Sequence, residues 1–295
     1  MKRDITMAAR QGLLLCDGGI GTQLMALGLP AGEAPEKWNL EYPDRVAHVH
    51  QTYIAAGARV LTTNTFGGSP YKLKSAKIDA DPGLINRRAA EIACQVAGEN
   101  AWVAGSIGPT GAMLMMGDLS EEAMYEGFLL QAQNLLLGGA DCVIVETMSD
   151  LQEALVAVRA AKQAGDKPLL ASMTFTAGQR GYRTMMGVDI PTAVRELTAA
   201  GADVLGCNCG SGIDDAIHII RELRTLTSLP LLAEPNAGLP QYVDGQTLFR
   251  ESPEIMAAKI PALLAAGAQL IGGCCGTTPA HIAAFAEQVK GLPPC

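Results

Sequence analysis

Two adjacent cysteines, Cys274 and Cys275, stand between glycines directly after a short apolar run that ends at Ile271. An earlier apolar run ends in the sequence Gly-Cys-Asn-Cys, which places further thiols at Cys207 and Cys209. Catalytic zinc keeps three protein ligands and one exchangeable position, and thiolates suit this borderline-soft metal. The two segments therefore predict a three-cysteine zinc site, provided that the fold makes them neighbours.

The third thiol could come from Cys207 or from Cys209. Residues two apart share a face in a regular strand, so direction alone does not separate them. Cys209 is favoured because it lies closer to the end of its run. The alternative is that buried cysteine is simply a small apolar residue, which is the expected role of the isolated Cys94 and Cys142.

Three thiolates around a divalent ion leave a surplus of negative charge. A fourth thiol that binds such an ion loses its proton readily, because coordination stabilises the thiolate. The surplus charge keeps that sulfur electron-rich and ready to attack an electrophilic carbon, whereas a site of histidines is better suited to activating water. The residue types therefore favour alkyl transfer to a thiol substrate.

Two carboxylates, Asp17 and Glu146, also end apolar runs. Because burying them unpaired would be costly, we expect them to hold a substrate ammonium group. The alternative is a pair of salt bridges or helix caps at the rim of the fold. Gly18 and Gly19 follow Asp17 in a glycine-rich turn whose backbone N–H groups could bind a carboxylate. Together with a thiol-activating zinc ion, a site for an ammonium group and a site for a carboxylate would match a substrate that is an amino acid with a thiol.

Short apolar runs that end in small or polar residues recur along the whole chain, and each is nearly continuous, as parallel strands buried on both faces are. They occupy residues 13–17, 60–64, 102–106, 142–146, 169–174, 204–209, 231–236 and 270–274. Amphipathic segments between them predict helices. The clearest span residues 150–164, 213–226 and 253–266.

A glycine precedes four of the predicted strands, at Gly57, Gly139, Gly201 and Gly267, as expected where a helix ends in a left-handed turn. Eight strands with repeated helix-to-strand junctions predict an α/β fold, a single-domain (β/α)8 TIM barrel over residues 1–295. A doubly wound open sheet is the alternative, although no G-x-G-x-x-G motif opens a helix.

In such a barrel, functional residues gather at the C-terminal ends of the strands. The predicted ends are Asp17, Asn64, Ser106, Glu146, Thr174, Cys209, Asn236 and the Cys274–Cys275 pair.

The composition excludes several classes of partner. The chain has 295 residues, 48% hydrophobic and 18% charged, with a formal net charge of −8. An acidic chain is a poor ligand for nucleic acid or an anionic membrane surface. No apolar stretch reaches transmembrane length, and the N-terminus lacks the apolar region of a secretory signal. Cysteines placed mostly inside apolar runs indicate reduced thiols, and hence a cytoplasmic protein.

Three segments carry a resemblance to a known family. Residues 17–22, 206–209 and 272–276 resemble the motifs of the homocysteine S-methyltransferase family, and the likeness runs along essentially the whole chain. The resemblance implies a zinc-dependent barrel that methylates homocysteine to methionine. It implies zinc ligands at Cys209, Cys274 and Cys275, and contacts to the homocysteine amino group from Asp17 and Glu146.

Within the family, residues 145–150 and 234–240 look most like the homocysteine domain of cobalamin-dependent methionine synthase. That likeness implies that Asn236 fills the open position of zinc before substrate arrives. It also implies a methyl group carried as methylcobalamin on a corrinoid protein. The large synthase continues into further regions, so we expect either a fragment or a standalone enzyme with a separate corrinoid partner.

The naturally short branches of the family use betaine or S-methylmethionine, and these small donors are the alternative. A non-catalytic subunit that docks a corrinoid protein is an alternative of another class. A zinc hydrolase on the same fold is disfavoured, because no histidine stands at a predicted strand end.

Overall fold

A computed structural model describes residues 4–112, 114–243 and 246–290. Within them, eight parallel strands form one sheet. They are β1 (Leu14–Leu15), β2 (Val60–Thr62), β3 (Trp102–Ile107), β4 (Cys142–Met148), β5 (Leu169–Met173), β6 (Val204–Cys209), β7 (Leu231–Pro235) and β8 (Leu270–Ile271).

Neighbours in the sheet follow chain order, and β8 lies beside β1. A parallel bridge between Cys16 and Val60 joins β1 to β2 and closes the sheet. The predicted (β/α)8 barrel is therefore confirmed and the doubly wound open sheet is wrong. The predicted domain bounds, residues 1–295, include residues outside the described ranges and stay a prediction.

Helices surround the barrel in the described residues. They are α1 (Ile5–Gln11), α2 (Ile20–Ala26), α3 (Trp38–Glu41), α4 (Pro43–Ala55), α5 (Pro70–Ser75), α6 (Pro82–Ala97), α7 (Glu121–Leu137), α8 (Leu151–Ala164), α9 (Ile190–Ala199), α10 (Ile213–Leu226), α11 (Pro253–Ala257), α12 (Ile260–Ala266) and α13 (Pro279–Gln288). Two 3-10 turns, Pro35–Lys37 and Leu114–Met116, lie among them. Two antiparallel hairpins, Thr176–Gly178 with Gly181–Arg183 and Gln241–Val243 with Gln246–Leu248, follow β5 and β7.

Two of the three predicted helices are confirmed. Asp150 caps α8 by accepting from the Gln152 N–H, and α10 has the predicted bounds. The third prediction, one helix over residues 253–266, is wrong, because the segment forms α11 and α12. Pro261 explains the break: proline has no N–H to give to the preceding turn, and it fits only at the start of a helix.

The four junction glycines adopt the left-handed backbone expected of them. Gly57, Gly139, Gly201 and Gly267 have φ of 108°, 98°, 100° and 110°. Glycine reaches this region without the steric cost that a side chain would add, so each helix can turn directly into the next strand.

Two apolar clusters divide the core. The larger fills the space between the strands and the surrounding helices. The smaller lies inside the barrel, where residues such as Leu14, Leu170 and Leu232 pack with Ile5 and Ala8 of α1. The interior near α1 is thus filled with side chains, which leaves the opposite, C-terminal end of the barrel for polar residues. In the described part of the chain, no helix is both long and apolar enough to cross a membrane.

Candidate metal and substrate site

A cavity of about 470 Å³ opens at the C-terminal end of the barrel. Nine of the residues predicted from the sequence line it, namely Asp17, Gly18, Gly19, Asn64, Ser106, Glu146, Cys209, Cys274 and Cys275. Asn236 is buried nearby, where its backbone N–H donates to the Cys209 carbonyl at 3.3 Å. The fold thus brings the two cysteine segments and the two carboxylates to one place.

The three cysteines form a compact cluster. The sulfur atoms of Cys209, Cys274 and Cys275 all lie within 4.8 Å of one another, and the Cys209–Cys274 separation is 3.0 Å. Hydrogen bonds to neighbouring strands fix the segment after β8: the Cys274 N–H donates to the Pro235 carbonyl, and the Gly273 N–H donates to the Asp17 carbonyl. The cluster is therefore held by backbone contacts to both adjacent strands.

The structure separates the two candidates for the third thiol. Cys207 belongs to the apolar cluster between strands and helices, and burial raises the pKa of its thiol to about 12. Cys209 has a left-handed φ of 58°, so it leaves the regular alternation of β6 and lines the cavity. The expectation that both thiols share a face is wrong, because that rule holds only while the strand stays regular.

Hydrogen bonds within the cluster distribute its charge unevenly. Those from Cys209 and Cys274 lower the pKa of the Cys275 thiol to about 3. Hydrogen bonds with Cys209 and Cys275, together with burial, raise the pKa of Cys274 well above its ordinary value. A divalent cation would bind all three sulfurs as thiolates and so release their protons.

The donor set fits a zinc ion. Three cysteine sulfurs from two strand ends can bind one tetrahedral ion and leave a fourth position open. Asn236 offers a further atom: its Nδ2 donates to the Gly210 carbonyl at 3.0 Å, and its buried Oδ1 has no hydrogen-bond partner in the described residues. A buried acceptor without a partner costs about 1–3 kcal/mol, so this oxygen is available to a ligand.

Both predicted carboxylates are buried and held by hydroxyl and amide donors. Thr62 donates to Asp17 twice, from its backbone N–H at 2.8 Å and its Oγ1 at 2.9 Å. Ser106 Oγ donates to Glu146 at 2.5 Å and Asn208 Nδ2 donates at 3.3 Å. Burial raises the pKa of Asp17 to about 8 and that of Glu146 to about 7.

Neither carboxylate forms a salt bridge or caps a helix in the residues that the structure describes. The alternative interpretation of Asp17 and Glu146 as rim salt bridges or caps is therefore wrong. Both face a cavity without a cation to balance them, which is the arrangement that an ammonium group would complete.

Gly18 and Gly19 serve close packing. A Cβ on Gly18 would lie 2.6 Å from Thr277 Oγ1, and a Cβ on Gly19 would lie 2.7 Å from the Cys274 carbonyl oxygen. The Gly19 N–H already donates to Thr277 Oγ1 at 3.1 Å, so it is not free to bind a substrate carboxylate. These glycines let the turn after β1 press against the cysteine segment.

The sequence analysis named Ser106 as a strand end but gave it no role, and it missed Thr62, Asn208 and Glu234. Thr62 and Asn208 stand at or near strand ends, and that position was the available signal for them. Glu234 also lines the cavity and is only 6% exposed. Its charge in an otherwise apolar run could have drawn attention to it.

A family model and two relatives point to one family. The family model described as homocysteine S-methyltransferase matches residues 14–289. Methionine synthase of Mycobacterium tuberculosis is 31% identical over 308 residues, which cover 98% of this chain and 26% of that protein. The methionine synthase of Mycobacterium leprae is 31% identical over 305 residues, covering 97% and 25%. The chain thus spans about a quarter of the length of these relatives.

A solved structure is similar over its full length. The metallated form of the homocysteine methyltransferase MmuM from Escherichia coli has a TM-score of 0.79 and 28% identity, and the match covers 96% of this chain and 98% of that chain.

Proposed function

The chain belongs to the homocysteine S-methyltransferase family, and on that basis we propose that it methylates the thiol of homocysteine to give methionine, with zinc bound by Cys209, Cys274 and Cys275. The observation that carries this proposal is the cysteine cluster, which shares one cavity with two unpaired carboxylates. A ligand with a thiol at one end and an ammonium group beside it matches that cavity.

Each residue of the cavity has a distinct role in this reaction. A zinc ion bound by the three thiolates would stabilise the substrate sulfur as a nucleophilic thiolate. Asp17 and Glu146 accept hydrogen bonds from the substrate ammonium group and so orient the sulfur toward the cysteines. Thr62 and Ser106 keep those carboxylates in place through the hydrogen bonds described above.

Asn236 has a role before substrate binds. Its unpartnered Oδ1 is the donor we assign to the fourth ligand position of zinc, in support of the interpretation drawn from the resemblance. The Gly210 carbonyl accepts from the other end of the amide and so fixes which atom is the oxygen. The thiol of homocysteine would then take the place of Asn236.

The rim of the barrel favours a methyl donor carried by a protein. Large apolar side chains are exposed on the segments that follow β1, β2, β3, β5 and β7. They are Met25, Phe66, Met116, Met185, Met186, Leu239 and Tyr242, with Met185 84% and Tyr242 79% exposed. Exposed apolar groups gathered at one end of a protein are typical of an interaction site. We therefore propose a methylcorrinoid protein as the donor.

The size of the cavity supports a small donor as the second candidate. It extends past the carboxylates to Phe66 and Lys72, and its volume of about 470 Å³ leaves room beside one amino acid. S-methylmethionine and betaine are small enough to occupy that space. A purely docking subunit is disfavoured because it would have no use for a complete thiol cluster and buried carboxylates.

The experiment is methionine formation from homocysteine by zinc-loaded protein, with methylcobalamin, betaine, S-methylmethionine and methyltetrahydrofolate in parallel. We expect turnover with methylcobalamin, and none with a Cys275→Ala variant. Turnover with betaine or S-methylmethionine alone would replace the corrinoid donor but keep the reaction. Full activity of metal-free protein, or no turnover with any donor and any corrinoid protein, would contradict the proposed function.

A further inference from the structure

Glu234 is a buried acid without a role in the reaction proposed above. It lies on β7, lines the same cavity as the cysteine cluster, and is 94% buried. Across the described ranges, no N–H or O–H group donates to its carboxylate and no basic side chain pairs with it. Among the described residues, the polar neighbour that acts on its carboxyl is the thiol of Cys16, which lowers the pKa of Glu234 by less than burial raises it.

The strand register explains this contact. Leu270 and Ile271 of β8 lie level with Leu232 and Ala233 on one side, and with Leu14 and Leu15 on the other. Continued by one residue, the register places Gly272 between Glu234 and Cys16. Glycine has no side chain, and a Cβ there would meet Cys16 Cβ at 2.7 Å. The gap at Gly272 therefore lets Cys16 reach Glu234 across β8.

On its other side, Glu234 is level with Asn208 of β6, whose Nδ2 donates to Glu146 at 3.3 Å. The carboxyl groups of Asp17, Glu146 and Glu234 thus face one cavity from the ends of β1, β4 and β7. Glu33 and Glu36 also line the cavity, but Glu33 pairs with Lys37 and Glu36 accepts from the Gly67 N–H. The only basic residue among those that line the cavity is Lys72. Burial, followed by the charges of Glu146 and Asp17, raises the pKa of Glu234 well above its ordinary value.

The three acids differ in how their oxygens are occupied. Both oxygens of Asp17 accept from Thr62, and Glu146 accepts from Ser106 and Asn208. Glu234 has only a thiol, which is a weak donor. A buried carboxyl with open acceptor positions lowers the stability of the fold, unless a ligand supplies the missing donors.

We propose that Glu234 is a specificity-determining residue that accepts a hydrogen bond from the ammonium group of homocysteine, beside Asp17 and Glu146. An ammonium group has three N–H donors, so it can satisfy one acceptor on each of the three acids. Glu234 then selects thiols that carry a free amino group over thiols that lack one. This inference rests on the proposed function, because it takes homocysteine as the ligand.

The test is calorimetric binding to zinc-loaded protein, which needs no methyl donor. Homocysteine is compared with 4-sulfanylbutanoate, the same thiol acid without its amino group. We expect Glu234→Gln to weaken homocysteine binding by about tenfold or more, since a hydrogen bond to a charged group is lost. Binding of 4-sulfanylbutanoate should change by less than about twofold, as should zinc content.

Glu33→Gln is the matched control. Glu33 lines the same cavity, but its carboxylate pairs with Lys37 at 3.4 Å, and we expect normal binding of both thiols. The melting temperature adds a second measurement: because Glu234→Gln removes an unpaired buried acid, the variant should melt at or above the wild-type temperature. If Glu234 only stabilised the fold, its replacement would lower the melting temperature.

Three outcomes would overturn the inference: equal weakening for both thiols, unchanged homocysteine binding, or a lower melting temperature with lost zinc. The Glu234→Asp variant, which keeps the carboxyl group on a shorter side chain, should bind homocysteine better than the Gln variant does. Methyl transfer by the wild-type protein is scored separately, so failure of the proposed function and failure of this inference are distinguishable.

Discussion

Cys207 and Cys209 stand two residues apart on β6, yet Cys207 packs between strands and helices while Cys209 lines the cavity. The left-handed backbone of Cys209, with φ of 58°, causes this difference. A non-glycine residue in this region carries strain of about 1–3 kcal/mol, and such strain persists where the surrounding structure enforces it. The backbone around Cys209 therefore commits one thiol to the site and the other to the core.

Replacement of these two cysteines should separate metal binding from stability. We expect Cys209→Ala to lose the zinc ion, about one per chain in the wild type, because a two-thiol site is incomplete. Cys207→Ala should keep zinc and lose about 1 kcal/mol of stability, since it removes a buried sulfur from the core. Zinc content after dialysis and denaturant unfolding measure the two effects. Zinc loss in Cys207→Ala alone would reverse our assignment.

Gly19 and Gly21 offer a matched pair next to the site. A Cβ on Gly19 would press on the Cys274 carbonyl, whereas a Cβ on Gly21 would meet nothing within 4 Å. Gly19→Ala should displace the cysteine segment and weaken zinc binding. Gly21→Ala, inside α2, should keep zinc and gain about 0.5–1 kcal/mol of stability. Competition with a chromogenic chelator compares the zinc affinities, and equal affinities in the two variants would argue against the packing role.

Binding of the amino group should depend on pH through the buried acids. Burial raises the pKa of Asp17 to about 8, so this carboxyl is neutral at lower pH and must lose a proton to bind an ammonium group. Methionine is a suitable probe because it has no thiol to titrate. Its affinity should rise by up to about tenfold per pH unit between about pH 6 and 8.

Asp17→Asn should flatten this dependence, leaving the contribution of Glu146, whose pKa is about 7. The raised pKa of Asp17 also predicts how the stability of the fold changes with pH. A carboxyl whose pKa is raised in the fold stabilises it below the unfolded pKa, and that contribution is lost as pH rises through about 8. Ligand-free wild type should therefore lose stability relative to Asp17→Asn as the pH rises from the ordinary carboxyl pKa to about 8, with no further loss above that range. A methionine affinity that falls with pH would contradict the assignment.

Thr62 should act on substrate through Asp17. Thr62→Val keeps the backbone N–H bond but removes the Oγ1 donor at 2.9 Å. We expect the KM for homocysteine to rise by about tenfold, because a hydrogen bond to a carboxylate is lost. In an Asp17→Asn background the same change should have little further effect, and this double-mutant cycle checks the route. Additive losses in the double variant would show that Thr62 acts elsewhere.

The sequence predicted the barrel and the meeting of the two cysteine segments for a simple physical reason. Parallel strands begin at one end of a barrel and end at the other, so residues that close apolar runs must share a rim. Asp17, Glu146 and Cys274 were found in this way. The four junction glycines were equally predictable, because few other residues adopt a left-handed turn at a helix end.

Other features depend on tertiary contacts that the amino-acid sequence alone does not show. The left-handed backbone of Cys209 belongs to a residue type with no preference for it, so only the tertiary structure reveals it. The contact between Cys16 and Glu234 depends on register across three strands. The break between α11 and α12 follows from Pro261, which the apolar periodicity of the segment does not reveal.

The backbone bond from Gly273 to the Asp17 carbonyl ties the end of the last strand to the end of the first. Two of the three sulfurs follow that last strand, so a chain emerging from the ribosome has all three only after nearly the whole barrel has been made. On the proposed function, the zinc site is complete only when β8 has closed the barrel, so zinc content would report closure of the fold.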